Sequence, residues 1–129
     1  MNDIINKINN NIEQLNYRLN QLSYSKKNIK FYYVEKISEI KKEIIDLKAQ
    51  LIYYKNFNSD DTIDIHGATK YFVENYLNDL LYFKMDYHQK ITLITGKGSF
   101  IIFNSVKKYL ESEKIKYSIS NYIFTIILY

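Results

Sequence analysis

Apolar residues recur every three or four positions through the first half of the chain, which is the spacing of one face of an α-helix. Two series follow this pattern. The first contains Ile5, Ile8, Ile12, Leu15, Leu19 and Leu22, and the second contains Tyr33, Ile37, Ile40, Ile44, Leu47, Leu51 and Tyr54. No proline occurs anywhere and no glycine precedes Gly67, so nothing interrupts the pattern. We therefore predict two long amphipathic helices.

The polar segment 23–28, Ser-Tyr-Ser-Lys-Lys-Asn, separates the two apolar series and is predicted to form a turn or a restart of the helix. In the simplest arrangement the two helices form an antiparallel hairpin in which each apolar stripe buries the other. The same repeat also fits an intermolecular coiled coil, so self-association through these helices is an alternative expectation.

The second half of the chain has a different pattern, which begins after a polar stretch at residues 56–61. We place a domain boundary there, with a helical extension over residues 1–57 and a second domain over residues 58–129. In the second domain, apolar residues recur every two positions in some stretches and every three or four positions in others. This alternation is typical of strands that alternate with helices. The predicted strands and helices are 62–65, 68–83, 90–95, 100–112, 115–119 and 122–129.

This order, β-α-β-α-β-β, predicts a two-layer α/β (α+β) domain. Strands separated by helices pair in parallel through right-handed crossovers. The last two strands are joined by a tight turn at Ser120-Asn121 and are expected to form an antiparallel hairpin, which makes the sheet mixed.

Composition limits the chemistry that this chain can perform. It contains no cysteine, which excludes disulfides, thiolate metal sites and cysteine nucleophiles. Only His66 and His88 can provide imidazole ligands, so we expect no zinc site and no cofactor, while a need for a divalent metal stays open. The net charge of +4 and the isoelectric point near 9.0 are compatible with a nucleic-acid partner.

The sequence also contains no signal-peptide pattern at its amino terminus and no apolar run long enough to cross a bilayer. We therefore expect a soluble cytoplasmic protein without a membrane partner.

Two short segments carry the candidate chemistry, and each follows a predicted strand. Asp64 and His66 are two positions apart, so their side chains project to the same side of an extended chain. A carboxylate next to an imidazole fixes the ring and supports its protonated form, as general acid-base catalysis requires. After the next strand, Gly96-Lys97-Gly98 combines glycines, which allow an anion to approach the backbone closely, with a mobile cation.

Neither segment is specific by itself, because an Asp-x-His or a Gly-x-Gly turn also occurs in purely structural roles. The glycine turn lacks the spacing of a P-loop, and Ile101 occupies the position where a dinucleotide-binding fingerprint has its third glycine. In parallel α/β sheets, however, sites form at the carboxyl ends of adjacent strands. The two segments together therefore indicate a reaction at phosphate.

In combination and in this order, the segments resemble the small MutS-related (Smr) domain family over about residues 62–129. Ile63-Asp64-Ile65-His66-Gly67 resembles its Leu-Asp-Leu-His-Gly motif, and Thr95-Gly96-Lys97-Gly98 resembles its Thr/His-Gly-Lys/Arg-Gly motif. The helical extension is similar to the helical segment often found before eukaryotic Smr domains. The family often continues the second motif with a small residue or histidine and a basic residue, whereas this chain has Ser99-Phe100-Ile101.

The resemblance implies an endonuclease that acts on nucleic acid, with RNA favoured over DNA and messenger RNA on stalled ribosomes as one substrate. It assigns Asp64 and His66 as the catalytic pair. The expected phosphate- and nucleic-acid-binding residues are Gly67, Thr95, Gly96, Lys97, Gly98 and Ser99. The alternative hypothesis is a non-catalytic module that binds RNA or the ribosome through the same turn.

Overall fold

The computed structural model describes residues 2–24, 31–98 and 100–128, so most of the predicted turn at 23–28 lies outside the described residues. The elements in chain order are helices α1 (Asn2–Tyr24) and α2 (Phe31–Phe57), strand β1 (Thr62–Asp64), helices α3 (Lys70–Asn75) and α4 (Leu77–Met85), strand β2 (Lys90–Ile94), helix α5 (Phe100–Ser112), and strands β3 (Tyr117–Ser120) and β4 (Ile123–Ile127). The chain divides into two compact units, Met1–Leu51 and Ile52–Tyr129. The domain boundary between residues 57 and 58 stays a prediction.

The first unit contains α1 and most of α2, and the predicted apolar stripe of α1 is confirmed. Between residues 2 and 22, the six stripe positions are the only ones that are not exposed. A groove of about 440 Å³ is lined by residues of both helices, including Leu15 and Leu47, so the two helices lie side by side. None of the helices formed by the described residues combines the length and the apolar character needed to span a bilayer.

The direction of the two helices follows from the length of their connection. If they were parallel with Leu15 beside Leu47, the end of α1 and the start of α2 would be about 37 Å apart at 1.5 Å per residue. The seven peptide steps between Tyr24 and Phe31 span at most about 25 Å. The helices of this unit are therefore antiparallel.

The second unit contains a four-stranded sheet in the order β1-β2-β4-β3. β1 and β2 are parallel, whereas β4 is antiparallel to both β2 and β3. The predicted mixed sheet is confirmed, with one parallel pair at the edge that carries the candidate residues. A type I′-like turn closes the β3–β4 hairpin, since Asn121 and Tyr122 both have positive φ angles, of 50° and 65°.

Alternate strand residues form the core of this unit. The buried strand positions all lie on one face of the sheet and are Ile63, Ile91, Leu93, Phe124 and Ile126. Helix α4 packs on β2, and α3 packs against both α4 and α5. The buried helical positions include Phe72, Leu77, Leu80, Leu81, Val106 and Leu110. The result is the predicted two-layer arrangement of helices on a sheet.

Several predicted element boundaries are wrong. The turn predicted at Ser120-Asn121 lies one residue later, at Asn121-Tyr122, so the last strand begins at Ile123 and not at Tyr122. The single helix predicted over residues 68–83 is interrupted at Tyr76, whose φ and ψ of −124° and −28° depart from helical values. Leu77, which follows the break, is fully buried. Ile115, predicted to begin a strand, instead closes the end of α5. Its N–H donates to the Leu110 carbonyl at 2.9 Å, after Lys114 adopts a positive φ of 57°.

A buried lysine fixes the connection between α2 and β1. Lys84 is 1% exposed, and its Nζ donates to the carbonyl oxygens of Phe57, Ser59 and Asp60, the last at 3.0 Å. Burial lowers the pKa of Lys84, and the nearby negative charges of Asp60 and Asp61 oppose this change. Carbonyl groups at the end of α2 and just after it therefore accept hydrogen bonds from a side chain of α4.

Candidate active site

The two candidate segments emerge side by side at one edge of the sheet. Asp64, the last residue of β1, pairs with Ile94, the last residue of β2. The pairing continues one residue further, because the Ile65 N–H donates to the Ile94 carbonyl at 2.9 Å. Since the strands are parallel, His66 and Thr95 leave the sheet next to each other. The predicted convergence of the two segments therefore has its structural basis in this one parallel pair.

Asp64 and His66 form a hydrogen-bonded pair on the open side of this edge. Ile65 between them is fully buried, so the flanking side chains point outward. Asp64 Oδ1 lies 2.7 Å from His66 Nδ1 and also accepts the His66 backbone N–H at 3.1 Å. With Nδ1 donating to the carboxylate, a neutral imidazole keeps Nε2 as its free acceptor.

The electrostatics of the pair favour an ionised carboxylate. Partial burial acts to raise the pKa of Asp64, but the two hydrogen bonds from His66 and the positive charge of its ring outweigh burial and lower that pKa. The side chains are 44% exposed for Asp64 and 74% exposed for His66. The imidazole is therefore held by a charged partner and is accessible to a large substrate.

Gly96 brings the second segment into direct contact with the first. Its φ angle is +85°, in the left-handed region that glycine adopts without strain. A Cβ atom built on Gly96 would lie 3.0 Å from the Cβ and 3.4 Å from the Cα of His66. Any side chain at position 96 would therefore push against the residue that carries the imidazole.

The other two glycines have different structural requirements. Gly67 has a φ of +77° and lies in the turn in which the Ala68 N–H donates to the Ile65 carbonyl at 3.0 Å. A Cβ at Gly67 would meet nothing within 4 Å, so its requirement is purely conformational. Gly98 is exposed and has no left-handed φ, and a Cβ at this position would also meet nothing within 4 Å.

The remaining predicted residues of the second segment divide between surface and interior. Lys97 is exposed, and no carboxylate in the described ranges forms an ion pair with it. Thr95 is buried, and both its N–H and its hydroxyl donate to the Tyr122 carbonyl, at 3.3 and 2.9 Å. The Thr95 hydroxyl is thus engaged by the β3–β4 turn. Ser99 lies outside the described residues.

Asn56 supports the site and was not identified from the sequence. Its side-chain oxygen accepts the Asp64 N–H at 2.8 Å, and its amide group donates to the Asp64 carbonyl at 2.9 Å and to the Ile52 carbonyl at 2.9 Å. Asn56 is 6% exposed and occupies the outer edge of β1 as a neighbouring strand would. The last turn of α2 therefore fixes the backbone of Asp64. An asparagine six residues before a strand carries no recognisable signal for this role.

Within the parts of the chain that the structure describes, no three His, Asp or Glu side chains converge in a way that would hold a metal ion. Asp64 and His66 could contribute two ligands at most, and their mutual hydrogen bond engages one atom of each. The arrangement is suited instead to an oriented imidazole next to a glycine turn with an exposed cation.

Comparison with known proteins identifies the class of fold. The second unit, preceded by helices, has an Smr-like α+β fold. The chain is similar to the solution structure of the B3BP Smr domain, with a TM-score of 0.53 and 24% sequence identity over 64% of this chain and 94% of that domain. Comparisons with models of protein families and with curated protein sequences each found no match.

Proposed function

We propose that this chain is a nucleic-acid-binding protein of the Smr type and that it cleaves RNA phosphodiesters as an endoribonuclease. The observation that carries the proposal is the contact of Gly96 with His66, next to the 2.7 Å hydrogen bond between His66 and Asp64. The closeness of the two segments supports the proposal, because an oriented imidazole and a glycine turn suited to an anion belong to neighbouring residues. The proposed partners are RNA and, through it, the ribosome.

His66 acts as the acid-base group in the proposed reaction. Its Nε2 accepts the proton of a ribose 2′-hydroxyl as the 2′-oxygen attacks the adjacent phosphorus. The bond between phosphorus and the 5′-oxygen then breaks, and the same proton passes from Nε2 to that 5′-oxygen. The products are a 2′,3′-cyclic phosphate and a 5′-hydroxyl. Asp64 orients the ring through Nδ1 and stabilises its positive form.

The glycine turn supplies the positive electrostatic environment that the transition state needs. Lys97 is exposed and unpaired among the described residues, so its ammonium group is available to a non-bridging phosphate oxygen. Backbone amides at the start of α5 also favour negative charge. Both contributions grow in importance as charge accumulates on the phosphorane.

The proposal is tested by incubating the purified full chain with single-stranded RNA in EDTA and analysing the products. We expect cleavage without added metal and fragments ending in a 2′,3′-cyclic phosphate, because the nucleophile belongs to the substrate. A matched oligonucleotide with one 2′-deoxynucleotide should resist cleavage at that position only. Lys97→Ala should slow cleavage by about 10-fold or more.

Cleavage of the all-deoxy oligonucleotide at a similar rate would contradict attack by the 2′-hydroxyl. Absence of cleavage with and without magnesium or manganese would contradict the nuclease assignment. If RNA binding that depends on Lys97 persisted in that case, the non-catalytic RNA-binding alternative would be supported, with affinity falling as salt rises.

A further inference from the structure

Two large apolar side chains are exposed immediately after the glycine turn. Phe100 is 69% exposed and Ile101 is 67% exposed, although both begin helix α5. Phe100 is only two residues beyond Gly98, so the two Cα atoms are at most about 7 Å apart. Exposed apolar surface often marks an interaction site. Next to a positively charged turn, it suits a ligand in which an apolar group lies close to an anionic group.

Tyr122 supports Phe100 and ties it to the same turn. The two ring centroids are 6.2 Å apart with an interplanar angle of 61°, an edge-type contact in which Phe100 stays 69% exposed. Phe103 also makes an edge-type contact with Tyr122, with the ring centroids 5.9 Å apart. The Tyr122 carbonyl accepts both hydrogen bonds from Thr95, so the aromatic cluster and the glycine turn form one connected structure.

The backbone at Tyr122 is unusual for so large a residue. Its φ angle of 65° is in the left-handed region, where the second central position of a type I′ turn normally has glycine. A bulky residue retained in a strained conformation often serves a function rather than local stability. Here the tyrosine ring makes an edge-type contact with Phe100.

We propose that Phe100, supported by Tyr122, is a stacking platform for an unpaired nucleobase adjacent to the phosphate held by the glycine turn. The proposal rests on the proposed function and defines its substrate as single-stranded RNA. Bases in a duplex are stacked on one another and cannot cover the ring, whereas a base in a single strand can. Each nucleotide of a single strand has a base next to its phosphate, and Phe100 likewise follows Gly98 of the turn by only two residues.

The experiment measures binding of a short single-stranded 2′-O-methyl RNA, which cannot be cleaved by attack of its own 2′-hydroxyl, by fluorescence anisotropy. Phe100→Ala should weaken binding by about 10-fold, and Phe100→Leu should lose nearly as much because it keeps apolar area without an aromatic face. Phe100→Trp should bind at least as tightly as the wild type. Circular dichroism of each variant checks that the fold is retained.

Two controls separate stacking from phosphate binding and from loss of any aromatic side chain. Tyr87 is 72% exposed and precedes the opposite end of β2, so Tyr87→Ala should leave affinity unchanged. An abasic oligonucleotide with the same number of phosphates should bind wild type and Phe100→Ala equally, while Lys97→Ala should weaken binding of both oligonucleotides.

If RNA affinity depends on Lys97 but is unaffected by Phe100→Ala, the stacking platform is overturned while phosphate binding at the turn survives. Such a result would leave the exposed Phe100–Ile101 surface to a protein partner. If the wild type binds neither oligonucleotide, both the platform and the proposed function are overturned. Loss of affinity for the abasic oligonucleotide in Phe100→Ala would also contradict stacking on a base.

Discussion

His66 is hydrogen-bonded to Asp64 and lies close to Gly96, where an added Cβ atom would be 3.0 Å from the His66 Cβ. This close approach is possible because position 96 has no side chain. The absence of a side chain at Gly96 therefore matters for the segment that carries His66 as well as for the glycine turn itself. The role of Gly96 at the site is to permit close approach, in addition to any contact with phosphate.

Replacing Gly96 with alanine should damage both stability and cleavage. The new methyl group would lie 3.0 Å from His66 Cβ in a backbone conformation with φ of +85°, so either His66 or the turn must shift. We expect the free energy of unfolding to fall by about 1–3 kcal/mol and cleavage to fall by about 10-fold or more. Urea unfolding and initial cleavage rates measure the two effects.

The other glycines provide stability controls for this substitution. Gly67→Ala introduces only the strain of a positive φ and should cost about 1 kcal/mol. Gly98→Ala introduces neither strain nor a close contact and should change stability by less than about 0.5 kcal/mol. Equal stability losses at positions 96 and 98 would contradict the role assigned to the Gly96–His66 contact.

The lowered pKa of Asp64 predicts how its contribution to stability depends on pH. The ionised form is favoured in the folded state, so its contribution is present above the ordinary pKa of 3.8 and is lost as the pH falls through the lower folded pKa. Because Asp64 is nearly half exposed, solvent screening limits this contribution to under about 1 kcal/mol.

Urea unfolding of wild type and Asp64→Asn between about pH 2.5 and 7 should reveal a difference in unfolding free energy that is present above pH 3.8. The difference should shrink below pH 3.8, as the pH falls through the lower pKa of the folded-state carboxylate. A difference that stayed constant through the acidic range would show that ionisation of Asp64 does not stabilise the fold.

At the scale of elements, the end of helix α2 stabilises strand β1, which carries Asp64. β1 is a three-residue edge strand, paired with β2 on one side only. Asn56 supplies hydrogen bonds on its other side, to both the N–H and the carbonyl of Asp64. The last turn of α2 is thereby a structural part of the site.

Asn56→Ala should loosen β1 without removing any residue of the proposed reaction. The substitution deletes three hydrogen bonds at a buried position and should lower the unfolding free energy by about 1–3 kcal/mol. The Asp64 amide hydrogen should exchange faster with solvent, and cleavage should fall through a lower kcat. Asn104→Ala, at an exposed position of helix α5, is the matched control and should change none of these quantities. Unchanged exchange at Asp64 in Asn56→Ala would contradict the assigned role.

The spacing of apolar residues predicted most of the helices and strands, because the buried positions of these elements follow that spacing closely. The stripe of α1 and the alternation in β2 and β4 each correspond to a buried face. The break at Tyr76 could not be predicted, since no glycine or proline marks it and the apolar spacing fits a continuous helix. The Asp64–His66 pairing could be predicted from two-residue spacing, whereas the Asn56 contact depends on how a helix end meets a strand edge.

At the scale of the whole molecule, the chain has two compact units with different architectures. The second unit contains every described residue of the candidate site and has the Smr-like fold. The first unit is an antiparallel pair of helices with its apolar stripe turned inward at Ile8, Ile40 and Ile44. Self-association through these helices stays a prediction.

We propose that His66, oriented by Asp64 and close to Gly96, cleaves RNA. The chain contains one other histidine, His88, which follows α4 near the opposite end of β2 and provides an internal control. The most direct measurement compares single-turnover cleavage of single-stranded RNA by wild type, His66→Ala and His88→Ala, purified in parallel. We predict that His66→Ala slows cleavage by about 100-fold or more while His88→Ala cleaves like the wild type. Equal cleavage by the two variants would contradict the claim.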